Sequence, residues 1–155
     1  MRFGPDEPIG GYQDVEEALK AYEIIEAGEK PRRGYQAFEL SEESRNHLAG
    51  IFPPKFPEFI GHHITYAFGV MSTDPLPEAS NLQVVGYACD SKGIEALIVS
   101  VDGSTDRPDG KTFHITWSLD RSAGFKPVNS NDLIANNGWN RIRGSINITA
   151  KPRFF

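Results

Sequence analysis

The stretches "HHITY" at 62–66 and "FHITW" at 113–117 are nearly the same pentapeptide, and between them they hold three of the chain's four histidines. Each sits in a run rich in β-branched and aromatic residues, "HHITYAFGV" at 62–70 and "TFHITWSL" at 112–119, and each run predicts a strand. Side chains alternate across a strand. In the first copy His63 and Thr65 therefore share one face, while His62, Ile64, Tyr66 and Phe68 share the other. In the second, His114 and Thr116 share a face with Thr112 and Ser118, opposite Phe113, Ile115, Trp117 and Leu119. Each strand thus has an apolar side for a core and a side that carries an imidazole, a hydroxyl and small neighbours such as Gly61, Ala67 and Ser118. If the two polar faces meet, two imidazoles flank one cavity, and one can take a proton while the other gives one near neutrality. The two hydroxyls can donate hydrogen bonds to the oxygens of a phosphate.

Outward from the pentapeptides, "DVEEALKAYEIIEAG" predicts a helix over 14–27, with Asp14 as N-cap, Glu17 at the capping-box position and Gly28 as the stop. "YQAFEL" at 35–40 alternates as a strand, and "SEESRNHLAGIF" at 41–52 reads as a second helix, opened by the Ser41 to Ser44 region and ended by Pro53 and Pro54. His47 falls on that helix as a surface or half-buried residue. "LQVVGYACD" and "IEALIVSVD" predict two strands around a turn, and "GSTDRPDGK" at 103–111 is a dense run of turn residues. A loop, "DRSAGFKPVNSND", leads to a short helix, "DLIANNG", and a last strand, "NRIRGSINITA". No linker divides these elements, and the repeat, 51 positions apart without wider similarity, is no solenoid.

Composition narrows the function classes. With 155 residues, 39% apolar and 24% charged, the chain fits one ordinary globular domain of α and β elements. Apolar runs such as "ALIVSV" at 96–101 are too short to cross a bilayer, and "MRFGPDEP" reads as no signal peptide, so the expectation is a cytoplasmic protein without membrane contact. A net charge of −5 argues against extended duplex nucleic acid as a partner and leaves small phosphorylated ligands open. The basic patches "KPRR", "RIR" and "KPR" serve equally well as solvated edges. The lone Cys89 excludes an internal disulfide framework and Cys-based zinc sites, and its strand context predicts a buried thiol. Metal binding lacks a third ligand, because no Asp or Glu falls on the His face of either strand and a regular strand turns His62 away from His63. Neither G-x-S-x-G nor a P-loop occurs. No cofactor is expected.

The paired "HHITYAFG" and "FHITWSLD", preceded by "YQAFELSEESRNHLAGIFP", resemble the two-histidine phosphoesterases, whose signature is two H-x-T motifs in one small domain. The likeness spans about residues 34–150, with 1–33 an added arm and helix and 34–155 the phosphoesterase-like domain. It implies an α+β fold, a single bilobal domain with pseudo-twofold symmetry, antiparallel sheets lining a central groove and helices outside. It also implies a metal-independent phosphodiesterase for a 2′,3′-cyclic phosphate, a 2′–5′ linkage or a cyclic nucleotide, with His63 and His114 as acid and base and Thr65 and Thr116 holding the phosphate. Its partner would be a small nucleotide or short oligonucleotide. Tyr66 and Trp117 face the core by strand phase, which leaves Tyr35 and Phe125 as candidates to stack on a base and Lys126 as a candidate charge for the phosphate. The alternatives are a non-hydrolytic nucleotide-binding module and an RNA end-processing factor.

Overall fold

The computed structural model describes residues 30–155, so the helix expected over 14–27 lies outside the described residues. Residues 35–68 and 76–155 form one compact unit, and 30–34 and 69–75 fall outside it. In chain order the elements are β1 (Arg33–Leu40), α1 (Glu42–Ile51), β2 (Glu58–Phe59), β3 (His63–Met71), β4 (Leu82–Cys89), β5 (Ile94–Val101), β6 (His114–Leu119), a short 3₁₀ turn (Arg121–Ala123), α2 (Asn129–Asn137), β7 (Asn140–Ile148) and β8 (Ala150–Phe154). The fold is α+β and mostly antiparallel. Among the described residues, no helix is long and apolar enough to cross a membrane.

The strands join in one sheet in the order β7-β4-β5-β6-β3-β1-β8, with β2 paired to β6. A sheet on each side of a groove was expected, and a single continuous one is found. The two H-x-T strands pair directly, through Ile64 opposite Ile115, and this contact fuses what would otherwise be separate sheets. Two strands were not foreseen, the two-residue β2 and β8; β8 contains Pro152, which argues against a central strand, but among the described residues β8 pairs with β1 alone, and an edge position tolerates the missing N–H.

Two apolar clusters cover the two faces. Leu48 of α1 packs with Phe38, Ile64, Leu97, Val99, Ile115 and Trp117 on one. Leu133 and Ile134 of α2 pack with Val85, Ile94, Ala96 and Ile98 on the other. Seven of the eight residues of β5 are buried because both clusters draw on it. Helix α1 starts where Ser41 accepts from the Ser44 N–H at 3.1 Å, and Glu42 and Glu43 in its first turn complement the helix dipole. The carboxylate of Glu95, only 1% exposed, accepts from the Lys55 N–H at 2.7 Å and from the hydroxyls of Ser118 and Tyr87, so it fastens the chain after α1 to β6. Cys89 is half-buried, less enclosed than its strand suggested, and accepts from the Ser91 N–H at 3.3 Å.

Candidate active site

Because β3 and β6 run antiparallel about Ile64 and Ile115, the next residues along carry His63 past Thr116 and Thr65 past His114. Both isoleucines are fully buried on the α1 side, so all four motif side chains emerge on the opposite face. There they line one cavity of about 420 Å³, within the range of small-molecule sites. A hollow of about 600 Å³ beside Lys111, Asp132 and Trp139 is larger but contains none of the four.

The two imidazoles are held differently. His114 Nδ1 lies 2.8 Å from the Thr112 carbonyl, which fixes its proton on that nitrogen. Burial lowers the His114 pKa; the carbonyl opposes that shift, and the nearby Arg107 adds to it. His63 Nδ1 lies 2.9 Å from His62 Nδ1. Burial pushes the His63 imidazole down to about 4, like charge on His62 or His114 acts the same way, and Glu39 pulls it back up.

His62 thus belongs to the site, contrary to the strand-phase expectation. Regular pleating begins only at His63. Gly61 adopts φ +47, and a Cβ there would stand 2.7 Å from Phe59 and 3.0 Å from Trp117. Arg45 donates to the Gly61 and Ile60 carbonyls at 3.1 and 3.2 Å, and the Leu40 N–H donates to the His62 carbonyl at 2.9 Å. This pinned turn takes His62 out of alternation and into the cavity wall.

The hydroxyls differ as well. Thr116 Oγ1 sits 2.8 Å from Ser130 Oγ and donates to the Pro127 carbonyl at 3.3 Å. Thr65, 9% exposed, has no hydrogen-bond partner for its hydroxyl among the described residues. A buried hydroxyl without a partner is poised for a ligand. Thr65→Ala should therefore weaken ligand binding and turnover about tenfold or more, one hydrogen bond to a charged oxygen being about 1.5–3 kcal/mol. Thr116→Ala should cost less, because its hydroxyl gives up existing bonds when it turns to a ligand. Calorimetry and turnover on both variants check the order, and an equal or reversed effect contradicts it.

Of the other candidates, Tyr35 lines the cavity, its ring 5.7 Å from His63, 5.2 Å from Phe68 and 5.4 Å from Phe155. Phe125 is elsewhere: it packs on Gly93, where an added Cβ would lie 2.4 Å from its ring, and so leaves the site. Lys126 is exposed and does not line the cavity. The cation that does is Arg107, 3% exposed, gripped by Asp109 at 3.1 and 2.6 Å. Sequence reasoning missed it because turn residues carry no periodicity that tells inward from outward. It also missed Phe68, 57% exposed on the cavity wall, where alternation predicted a core position. His47 is exposed on α1, as expected. Among the described residues, no group of three His, Cys, Asp or Glu could hold a metal ion. No protein-family model, no curated protein and no solved structure matches the chain.

Proposed function

We propose that the chain is a metal-independent phosphodiesterase of the two-histidine kind, which hydrolyses a 2′,3′-cyclic phosphate, a 2′–5′ linkage or a cyclic nucleotide or oligonucleotide in the cytoplasm. The observation that carries this reading is the antiparallel register that gathers two imidazoles and two hydroxyls, one of them without a partner among the described residues, around a single cavity. One imidazole removes a proton from the attacking water as its oxygen bonds to phosphorus. The other protonates the ribose oxygen as its bond to phosphorus breaks. Thr65, Thr116 and Arg107 meet the charge that develops on the phosphate oxygens, in a cavity where burial strengthens each contact. Tyr35 and Phe68 offer ring faces for a base. In the same reading, β7-β4-β5-β6 and β3-β1-β8 serve as the two lobes of a bilobal domain, each contributing one H-x-T strand.

The test is incubation with EDTA and a panel of 2′,3′-cyclic nucleotides, 2′–5′ and 3′–5′ dinucleotides and cyclic oligonucleotides, with products separated by chromatography. Turnover of one class is expected at a rate that EDTA leaves unchanged, with a bell-shaped pH profile. Activity lost on chelation and restored by zinc or manganese overturns the mechanism. Tight binding without turnover makes the cavity a nucleotide-sequestering module instead.

A further inference from the structure

We infer that Glu39 and His62 form a proton relay behind His63, which presents a proton on His63 Nε2 to the cavity and makes His63 the general acid, while the Thr112 carbonyl makes His114 the general base. The inference rests on the phosphodiesterase reading of the cavity. It begins from an asymmetry between the two motifs. A carbonyl oxygen has no proton, so the hydrogen between His114 Nδ1 and Thr112 belongs to the ring, and the neutral ring keeps a lone pair on Nε2. The guanidinium of Arg107 on the same cavity opposes a second proton there. His114 is therefore built to accept.

His63 faces an imidazole where His114 faces a carbonyl. At 2.9 Å between the two Nδ1 atoms, one hydrogen lies between the rings, and either ring can own it. His62 is the ring that can carry charge: its side chain is 47% exposed, and its Nε2 lies 3.5 Å from Glu39 Oε2. Arg153 donates to Glu39 Oε1 at 2.6 Å and holds that carboxyl below its usual range, so it is ionised. When His62 carries the charge, its Nδ1–H donates to His63 Nδ1, and the proton of the neutral His63 ring must sit on Nε2. A ring too buried to hold a charge of its own then still offers an N–H.

The proton balance closes. His63 Nε2–H goes to the leaving oxygen, His62 Nδ1–H passes to His63 Nδ1, and His62 ends neutral. His114 Nε2 gains the proton of the attacking water. The cycle resets when a proton enters from the cavity at His63 Nε2 and His63 Nδ1–H returns to His62 Nδ1, while His114 gives its extra proton to solvent. Among the described residues, the charged and titratable groups that face the His62–His63 pair are Glu39 and Tyr35 of β1, with Arg153 of β8 behind Glu39, and His114 of β6. The rings of Tyr35 and Phe155 close the remaining sides of His63.

Two measurements on the full chain test the relay. In imidazole ¹⁵N spectra across pH, His114 should stay in the Nδ1–H form, while His63 should switch from Nε2–H to Nδ1–H as His62 loses its proton. In rate profiles on whichever panel member is turned over, His62→Ala should lower kcat about tenfold or more with little change in KM. Its alkaline limb should move to lower pH, because His63 alone must then carry the charge. Glu39→Gln should move both readouts the same way by less. A His63 tautomer indifferent to pH, or an alkaline limb unmoved in both variants, overturns the relay. If no panel member is turned over, the phosphodiesterase reading fails, and the spectra still decide the relay.

Discussion

Replacing His63 or His114 by Ala is expected to lower turnover roughly 10²–10⁴-fold, the usual worth of a positioned proton-transfer group. The expectation follows from the register: both rings line one cavity, and among the described residues His114 is hydrogen-bonded at its rear nitrogen alone, to the Thr112 carbonyl, which leaves its front nitrogen for chemistry. Because acid and base act in one step, the double variant should be little slower than the slower single. Ligand affinity, measured separately by calorimetry, should change far less than turnover. His47→Ala, on the exposed side of α1, is the control and should change almost nothing. Wild-type turnover in either single variant would mean that the paired pentapeptides serve packing alone.

Trp117→Ala is expected to remove about 3–5 kcal/mol of stability, a large share of the roughly 5–15 kcal/mol of a typical domain. Trp117 is the largest of the fully buried side chains. Its indole meets Phe59 edge-on with centroids 4.8 Å apart, and its Nε1–H donates to the Phe52 carbonyl at 2.8 Å. Truncation leaves a cavity under the motif strand and strips that carbonyl of its partner. Trp117→Phe keeps much of the volume and loses the hydrogen bond, so it should cost less. Urea titration of the three proteins reads the order directly from the midpoints. A loss below about 1 kcal/mol for Trp117→Ala would show that the α1 face of the sheet is not closed by this residue.

The same strand shows why part of the fold was legible and part was not. Period-two alternation placed Ile115 and Trp117 in the core and His114 and Thr116 on the far face, because β6 is buried on both sides and pairs in step with β5 from His114 to Thr116. Beyond that a register shift opposite Glu95 and Ala96 breaks the phase, and Leu119, expected beside Trp117, packs with Ile94 and Leu133 in the other cluster. Helix α1 was readable from Ser41 and from the two prolines that follow it. Alternation failed at both ends of the matching region of β3. At its start, the left-handed turn at Gly61 carries His62 into the site. Towards its other end Phe68 is exposed beside Gly69, whose φ of +73 marks a break in the regular pleat. Arg107 was invisible for a different reason: its burial comes from the fold of the 103–111 turns and the grip of Asp109, and a run of turn residues has no face to predict. Helix α2 starts at Asn129, earlier than "DLIANNG" implied, because Val128 at its N-cap gives no side-chain signal. Tyr35 reached the site and Phe125 did not. Only the space above Gly93, a fact of pairing between distant segments, separates those two outcomes.

The central claim, that this cavity hydrolyses a phosphodiester by proton transfer between two histidines, is tested most directly by ³¹P NMR in ¹⁸O-labelled water with EDTA present. The wild-type chain is incubated with a 2′,3′-cyclic nucleotide, and a 2′–5′ dinucleotide is run in parallel. The account predicts that one diester resonance gives way to a monoester shifted by a single ¹⁸O from the attacking water, and that neither His63→Ala nor His114→Ala produces it at a comparable rate. A diester resonance that persists unlabelled beside saturating enzyme, for these and for the cyclic oligonucleotides, would contradict it.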